Sequence, residues 1–338
     1  MTVRVGVIGV GLIGEDHVRR LTTVLDDAAV TAVTDVDKDR AAAVAERYGV
    51  ATVHATGEEV IADPQVDAVV VASWGPTHEQ YVLALIAAGK PVFCEKPLAT
   101  TVEACERVLA AEIATGRRLV QIGFMRRYDQ AYRDLRAAVH DGSIGAPLLA
   151  HMAHRNPSVP PTVTSEMAIN DSAVHEIDVT RWLLDEEITS VMVLAPRRSA
   201  LAGGNLQDPM VILFRSASGV LVDDELGLNV QYGYDIRAEV VGETGQARLP
   251  AGNPVPPNWR VRFVDAYDTE FRAWIGDVAA GREPGGPTAW DGYAATVVAG
   301  ASVTALHAGE TWVPVPLRER PEFYQAETSG RSRAGVAR

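Results

Sequence analysis

Between residues 3 and 123, short apolar runs alternate with stretches of helical periodicity. The runs fall at 3–8, 30–34, 68–71, 91–94 and 119–123, and the segments 38–48, 77–88 and 101–115 between them repeat apolar positions every three or four residues. An apolar strand that returns after each helix is the pattern of βαβ units, because parallel strands need a crossover to carry the chain back. The pattern predicts an α/β fold whose first unit, residues 1–123, is a doubly wound parallel sheet.

After residue 124 the pattern changes. One helical stretch covers 128–141, a turn follows at Gly145-Ala146-Pro147, and strand-like segments recur at 148–154, 189–194, 210–214, 220–225, 236–241 and 247–249. Turn residues at Ser218-Gly219 and Glu243-Thr244-Gly245 join successive strands closely, which favours antiparallel pairing. Residues 124–327 are therefore expected to form an α+β unit with a large, mostly antiparallel open sheet. A helix over 171–184 would cover one face, leaving the other to solvent or a second subunit. Two more helices are expected at 265–280 and 289–306. The small, polar, basic tail 328–338 is expected to be disordered.

The bulk numbers narrow the function. A chain of 338 residues with 47% hydrophobic and 22% charged residues has ample material for two domains. Its net charge of -13 argues against nucleic acid or an anionic membrane as the main partner, since both demand concentrated Lys and Arg. Cys94 and Cys105 are too few for a disulfide framework, the start of the chain enters an apolar strand without a basic leader, and no run approaches about 18 apolar residues. A cytoplasmic protein is expected.

An anion can still be held locally. Gly9-Val10-Gly11-Leu12-Ile13-Gly14 places G-x-G-x-x-G after the first strand and at the start of a helix. Gly9 permits the tight turn, Gly11 lets a pyrophosphate approach the backbone, and Gly14 lets helix pack on strand. The phosphates would lie at the helix N-terminus beside Leu12 and Ile13, where free amides and the dipole favour negative charge. Asp35, 21 residues beyond Gly14 at the end of the second strand, can accept hydrogen bonds from ribose hydroxyls and repel a 2′-phosphate. A Rossmann domain preferring NAD to NADP is expected.

Two more segments fall at the carboxyl ends of parallel strands, where open α/β sheets bind ligands. Ser73, Trp74 and His78 in the first could line the nicotinamide side. The second is Glu95-Lys96-Pro97, where Glu95 and Lys96 are expected to border the cofactor and the lysine could also hydrogen-bond a substrate hydroxyl and stabilise negative charge on its oxygen. On a helix over 171–184, Asp171, His175 and Asp178 would fall within about 60° of one another. An acid four residues before a histidine can hold one ring nitrogen while the other takes a proton. The same spacing also suits a structural histidine or, with Asp178, a metal, and the segment alone does not choose.

Taken together, the glycine turn, Ala88-Gly89-Lys90-Pro91-Val92-Phe93-Cys94-Glu95-Lys96-Pro97, Gly145-x-Pro147 and His175-x-x-Asp178-x-x-x-Trp182-Leu183 resemble the Gfo/Idh/MocA oxidoreductase family, up to about Gln325. Within it the stretches 123–129, 153–157, 175–179, 232–235, 286–293 and 321–325 are similar to those of inositol 2-dehydrogenases. The resemblance implies NAD-dependent oxidation of myo-inositol to 2-keto-myo-inositol, without a metal and in a homotetramer assembled through the open sheet face. It implies a catalytic set of Lys96, which binds the reacting oxygen, and Asp171, which orients His175 as general base. Arg126, His154, Asn156, Ser172, Asp178 and Tyr234 would surround the polyol, with Asp178 holding it; Ser172 departs from the family's usual threonine. Another cyclitol or a pyranose is the nearest alternative substrate, and a non-catalytic sensor of NAD and sugar is the alternative of another class.

Overall fold

The structure is a computed structural model that describes residues 2–325 apart from Ala251 and Asn253. The expected tail, 328–338, lies outside the described residues.

The first unit runs β1 (Val3–Ile8), α1 (Leu12–Thr23), β2 (Ala28–Thr34), α2 (Lys38–Tyr48), β3 (Thr52–Val53), α3 (Gly57–Ala62), β4 (Ala68–Val71), α4 (His78–Ala87), β5 (Val92–Cys94), α5 (Val102–Thr115) and β6 (Val120–Ile122). Its six strands are all parallel, in the order β3-β2-β1-β4-β5-β6. β1, β4 and β5 are buried along almost their whole length because helices cover both faces, so they read as continuous apolar runs. Local signals set the helix ends. Asp37 and Thr101 cap α2 and α5, and Gly49 and Gly116 end them in the left-handed region. The strand order reverses between β1 and β4, which opens a crevice at their carboxyl ends. β3 and α3 are too short to show a period and were not expected.

The second unit runs α6 (Gln130–His140), β7 (Pro147–Arg155), α7 (Ser165–Ala168), α8 (Val174–Leu184), β8 (Ile188–Leu194), β9 (Met210–Ser216), β10 (Leu221–Gly227), β11 (Asp235–Gly242), β12 (Gln246–Arg248), α9 (Trp259–Ala279), α10 (Ala289–Ala308) and β13 (Val313–Pro314). Seven strands form a sheet ordered β12-β11-β7-β10-β9-β8-β13, antiparallel except for the β7–β10 pair. Alternation is clearest on β9 and β10. Met152, Val222, Leu226, Ile212 and Phe214 turn to the helical face and are buried.

The opposite face is open and carries His151 paired with Asp223, and Arg155 bridging Glu225 and Asp235. α8 does more than cover the sheet. Lodged among α6, α10 and β7, it is buried on all sides, polar residues included.

Candidate active site

The glycine turn fits a dinucleotide by its steric demands. Gly9 has φ +88°, and a Cβ there would lie 2.6 Å from the Ser73 backbone. A Cβ on Gly14 would lie 2.0 Å from the Gly9 carbonyl oxygen, whereas one on Gly11 would meet nothing within 4 Å. Two glycines thus hold the turn tight and the third keeps a cradle open at the start of α1, where no side chain caps the free amides. Leu12 is exposed at this edge, while Ile13 packs its side chain into the core and leaves only backbone at the helix start.

Asp35 accepts a 2.8 Å hydrogen bond from Val10 N and one of 2.9 Å from Asp37 N, which fix its carboxylate beside the turn. Arg40 Nη1 stands 3.5 Å from it.

At the end of β4, Ser73 and Thr77 hydroxyls are 2.8 Å apart and Trp74 is 77% exposed over the crevice. His78, expected beside the nicotinamide, is instead buried: its ring nitrogens lie 2.7 Å from the Pro97 carbonyl oxygen and 2.9 Å from that of Ser73. It braces the two crevice loops against each other. Burial pushes its pKa down, so it is neutral. Glu95 also turns inward, with Oε1 2.8 Å from His17 Nε2 on α1 and Oε2 accepting from Lys96 N at 3.3 Å. Both were expected to touch the cofactor; both side chains are instead bonded inward.

Lys96, at the cis Lys96–Pro97 bond, crosses to the second unit, where its ammonium donates to the Asp171 carbonyl oxygen at 3.0 Å and pairs with the Asp171 carboxylate. The Lys96 charge holds the Asp171 carboxyl below its usual range.

The expectation that Asp171 orients His175 is corrected here. Residues Ile169–Ala173 form a π-helical turn before α8 begins, so the angular step between Asp171 and His175 is not that of an α-helix, and no hydrogen bond joins the two side chains. His175 Nδ1 is buried with no hydrogen-bond partner among the described residues. Its ring packs edge-on to Phe124, at 6.3 Å between centroids. Burial, reinforced by Arg126, Lys96 and His154, pushes its pKa well below the ordinary histidine value.

Asp178 is likewise corrected. It is 1% exposed and held by Arg127 through bonds of 2.9 and 2.5 Å, because α8 turns this side toward the buried 3₁₀ turn Met125–Tyr128. Asp171 and Asp178 thus bond to Lys96 and Arg127 and neither bonds to His175, and the described residues contain no metal-ligating cluster.

Behind His175, Arg126 pairs with Glu176, whose Oε2 is 2.9 Å from His154 Nδ1. His154 and Tyr234 meet edge to face at 5.6 Å, and Ser172 is nearly buried beside this group on the π turn. Asn156 continues β7 with its backbone bonded to Gly227 and Val230, and it is half-buried. The unexpected residues are Glu176, Arg127 and His17. Each stands among other charged or polar residues, so nothing local in the sequence sets it apart, and its role comes only from a partner distant in the chain.

Residues 3–124 match the model for the oxidoreductase family with an NAD-binding Rossmann fold, and 132–248 match the GFO/IDH/MocA C-terminal domain. The chain is 55% identical over 336 residues to inositol 2-dehydrogenase 3 of Saccharopolyspora erythraea, covering 96% of this chain and 98% of that protein. It is 50% identical over 337 residues to the inositol 2-dehydrogenase of Serratia proteamaculans, covering 96% and 99%. Among solved structures, myo-inositol dehydrogenase from Lactobacillus casei in complex with NAD(H) and myo-inositol superposes with a TM-score of 0.93 at 39% identity, covering 96% and 100%. With both halves matched and a site assembled between them, the chain belongs to the GFO/IDH/MocA family of NAD-binding oxidoreductases.

Proposed function

We propose that the protein is an NAD-dependent inositol 2-dehydrogenase that oxidises myo-inositol to 2-keto-myo-inositol. The observation that carries this reading is the Lys96–Asp171 pair spanning the crevice next to a buried, neutral His175. The glycine turn and Asp35 would hold the adenosine and pyrophosphate, with Ser73 and the exposed Trp74 on the nicotinamide side. When bound, NAD supplies the hydride acceptor.

The protein's residues supply the rest. Asp171 keeps Lys96 extended over the crevice, and the ammonium donates to the oxygen of the reacting carbon. His175, held neutral, takes the hydroxyl proton on Nε2. Arg126, His154, Asn156, Ser172 and Tyr234 would contribute to the polar surround a ring bearing six hydroxyls requires.

Residues 1–123 would act as the cofactor unit and 124–327 as the substrate and assembly unit. The open face of the second sheet supports a homotetramer, to be checked by mass in solution. Two free, buried thiols and the absence of any membrane-crossing helix among the described residues are compatible with a cytoplasmic protein. Initial rates with NAD on myo-inositol, scyllo-inositol, D-chiro-inositol and D-glucose test the substrate: myo-inositol should lead in kcat/KM, and a clear preference for glucose would overturn the assignment.

A further inference from the structure

In this site the Glu176 carboxylate lies within hydrogen-bond distance of a histidine, His154. Glu176 sits on α8 with 1% exposure, directly after His175, so α8 points the two side chains about 100° apart. Its Oε1 accepts from Arg126 Nη1, and its Oε2 is 2.9 Å from His154 Nδ1. Arg126 Nη2 also approaches that nitrogen, at 3.2 Å.

A ring nitrogen cannot donate and accept at once, so the two neighbours compete for its protonation state. With Nδ1 unprotonated, its lone pair would face a carboxylate lone pair at 2.9 Å, inside a site nearly closed to water. With Nδ1 protonated, a charge-assisted bond forms there, and the guanidinium keeps its own bond to Oε1.

The charge balance agrees. Asp224, on β10, has both oxygens buried without partners among the described residues, and burial with Glu176 nearby pushes its pKa well up, toward the neutral form. Glu176 is the carboxylate that meets the Arg126 guanidinium.

We propose that Glu176 is a positioning residue that locks His154 in the Nδ1–H tautomer, making Nε2 a hydrogen-bond acceptor for a hydroxyl of the bound polyol. The last step rests on the dehydrogenase reading above. Nε2 has no partner among the described residues, and the His154 ring lies 6.4 Å from that of His175, close enough for both to address one small ring. The site would then hold its substrate with a donor, Lys96, and an acceptor, His154, of fixed sense. A polyhydroxylated ring can meet both, since each hydroxyl can donate and accept.

The experiment is ¹⁵N-imidazole NMR of the NAD-loaded protein, with the His154 signals assigned by their loss in His154→Gln. The expected wild-type pattern is a protonated Nδ1 and an unprotonated Nε2. In Glu176→Gln the single amide oxygen goes to Arg126 and the NH2 faces Nδ1, so the tautomer should invert. KM for the polyol should then rise about tenfold or more, with the NAD dissociation constant unchanged and kcat less affected.

A wild-type His154 protonated on Nε2 overturns the proposal, as does a folded Glu176→Gln with unaltered tautomer and KM. If Glu176→Gln does not fold, the wild-type spectrum decides. Absence of turnover on any cyclitol would sink the functional reading while the tautomer measurement stood independently.

Discussion

Lys96 Nζ donates to the Asp171 carbonyl oxygen at 3.0 Å and also pairs with the carboxylate of the same residue, so one side chain of the nucleotide-binding unit grips both backbone and side chain of the π turn before α8. The contact ties the two units and gathers a cation and a carboxylate at the crevice, with the imidazole of His175 on the helix that follows. Asp171 serves Lys96, and His175 is left without a carboxylate of its own.

Removing either half of the reacting pair should abolish turnover and spare the cofactor. Lys96→Ala and His175→Ala are each expected to lower kcat by about 10²- to 10⁴-fold. NAD affinity, read by fluorescence titration, should stay within a few fold, because neither residue is among those, Asp35 and the glycine turn, that would hold the adenosine half. Near-normal kcat in His175→Ala would refute its role as base.

The pH profile should extend unusually far toward acid. A base must be deprotonated, and burial with nearby positive charge lowers the His175 pKa well below the ordinary value of about 6.5. Activity is therefore expected to stay level as pH falls through about 6.5 and to decline only below it. A kcat/KM profile with its acid limb above that value would count against the assignment.

Cofactor choice should rest on Asp35. Asp35→Ser removes the carboxylate that would meet a 2′-phosphate and leaves Arg40, now 3.5 Å from that carboxylate, free to approach it. The ratio of kcat/KM with NADP to that with NAD should rise at least tenfold; an unchanged ratio would rule Asp35 out as the ribose ligand.

Gly14→Ala should break the cofactor turn from within. The new methyl would stand 2.0 Å from the Gly9 carbonyl oxygen, so strand end and helix start must separate. A loss of roughly 2–3 kcal/mol in stability and a weakening of NAD binding beyond tenfold are expected, measured by denaturant titration and calorimetry.

Glu270→Gln should stabilise the protein at neutral pH. Both Glu270 oxygens are buried without partners among the described residues, and burial raises its pKa well above the usual value. Such a group contributes stability below its unfolded pKa of about 4.3 and loses it as pH rises toward the raised folded value. The amide escapes that cost, so Tm at pH 7 should rise by roughly 2 °C relative to wild type, with no gain at pH 4. A Tm lowered at pH 7 would show that the carboxylate has a partner.

The long apolar runs and capped helices of the first unit were legible because each is a local pattern: β1, β2, β4 and α5 follow from apolar spacing, and the glycine turn from three residues and the strand before them. β3 and β13, at two residues each, carry too little period to be read. Among site residues, Lys96 and the glycines were placed by motif. The motifs of His78, Glu95 and Asp178 lie at the crevice and suggest ligands, yet each side chain bonds inward.

The chain's order alone therefore specified the parallel sheet, the dinucleotide turn, the acid at the end of β2 and the residue types available for proton transfer, since all are set by neighbours a few positions apart. Partnership was decided only in three dimensions. Arg127 meets Asp178 from 51 residues away, Arg126 meets Glu176 from 50, and Lys96 meets Asp171 from 75. The π turn then changes the angle at which Asp171 leaves the helix by an amount no regular 3.6-residue period contains. Which carboxylate serves which cation depends on that turn and on burial, and these are properties of the packed molecule.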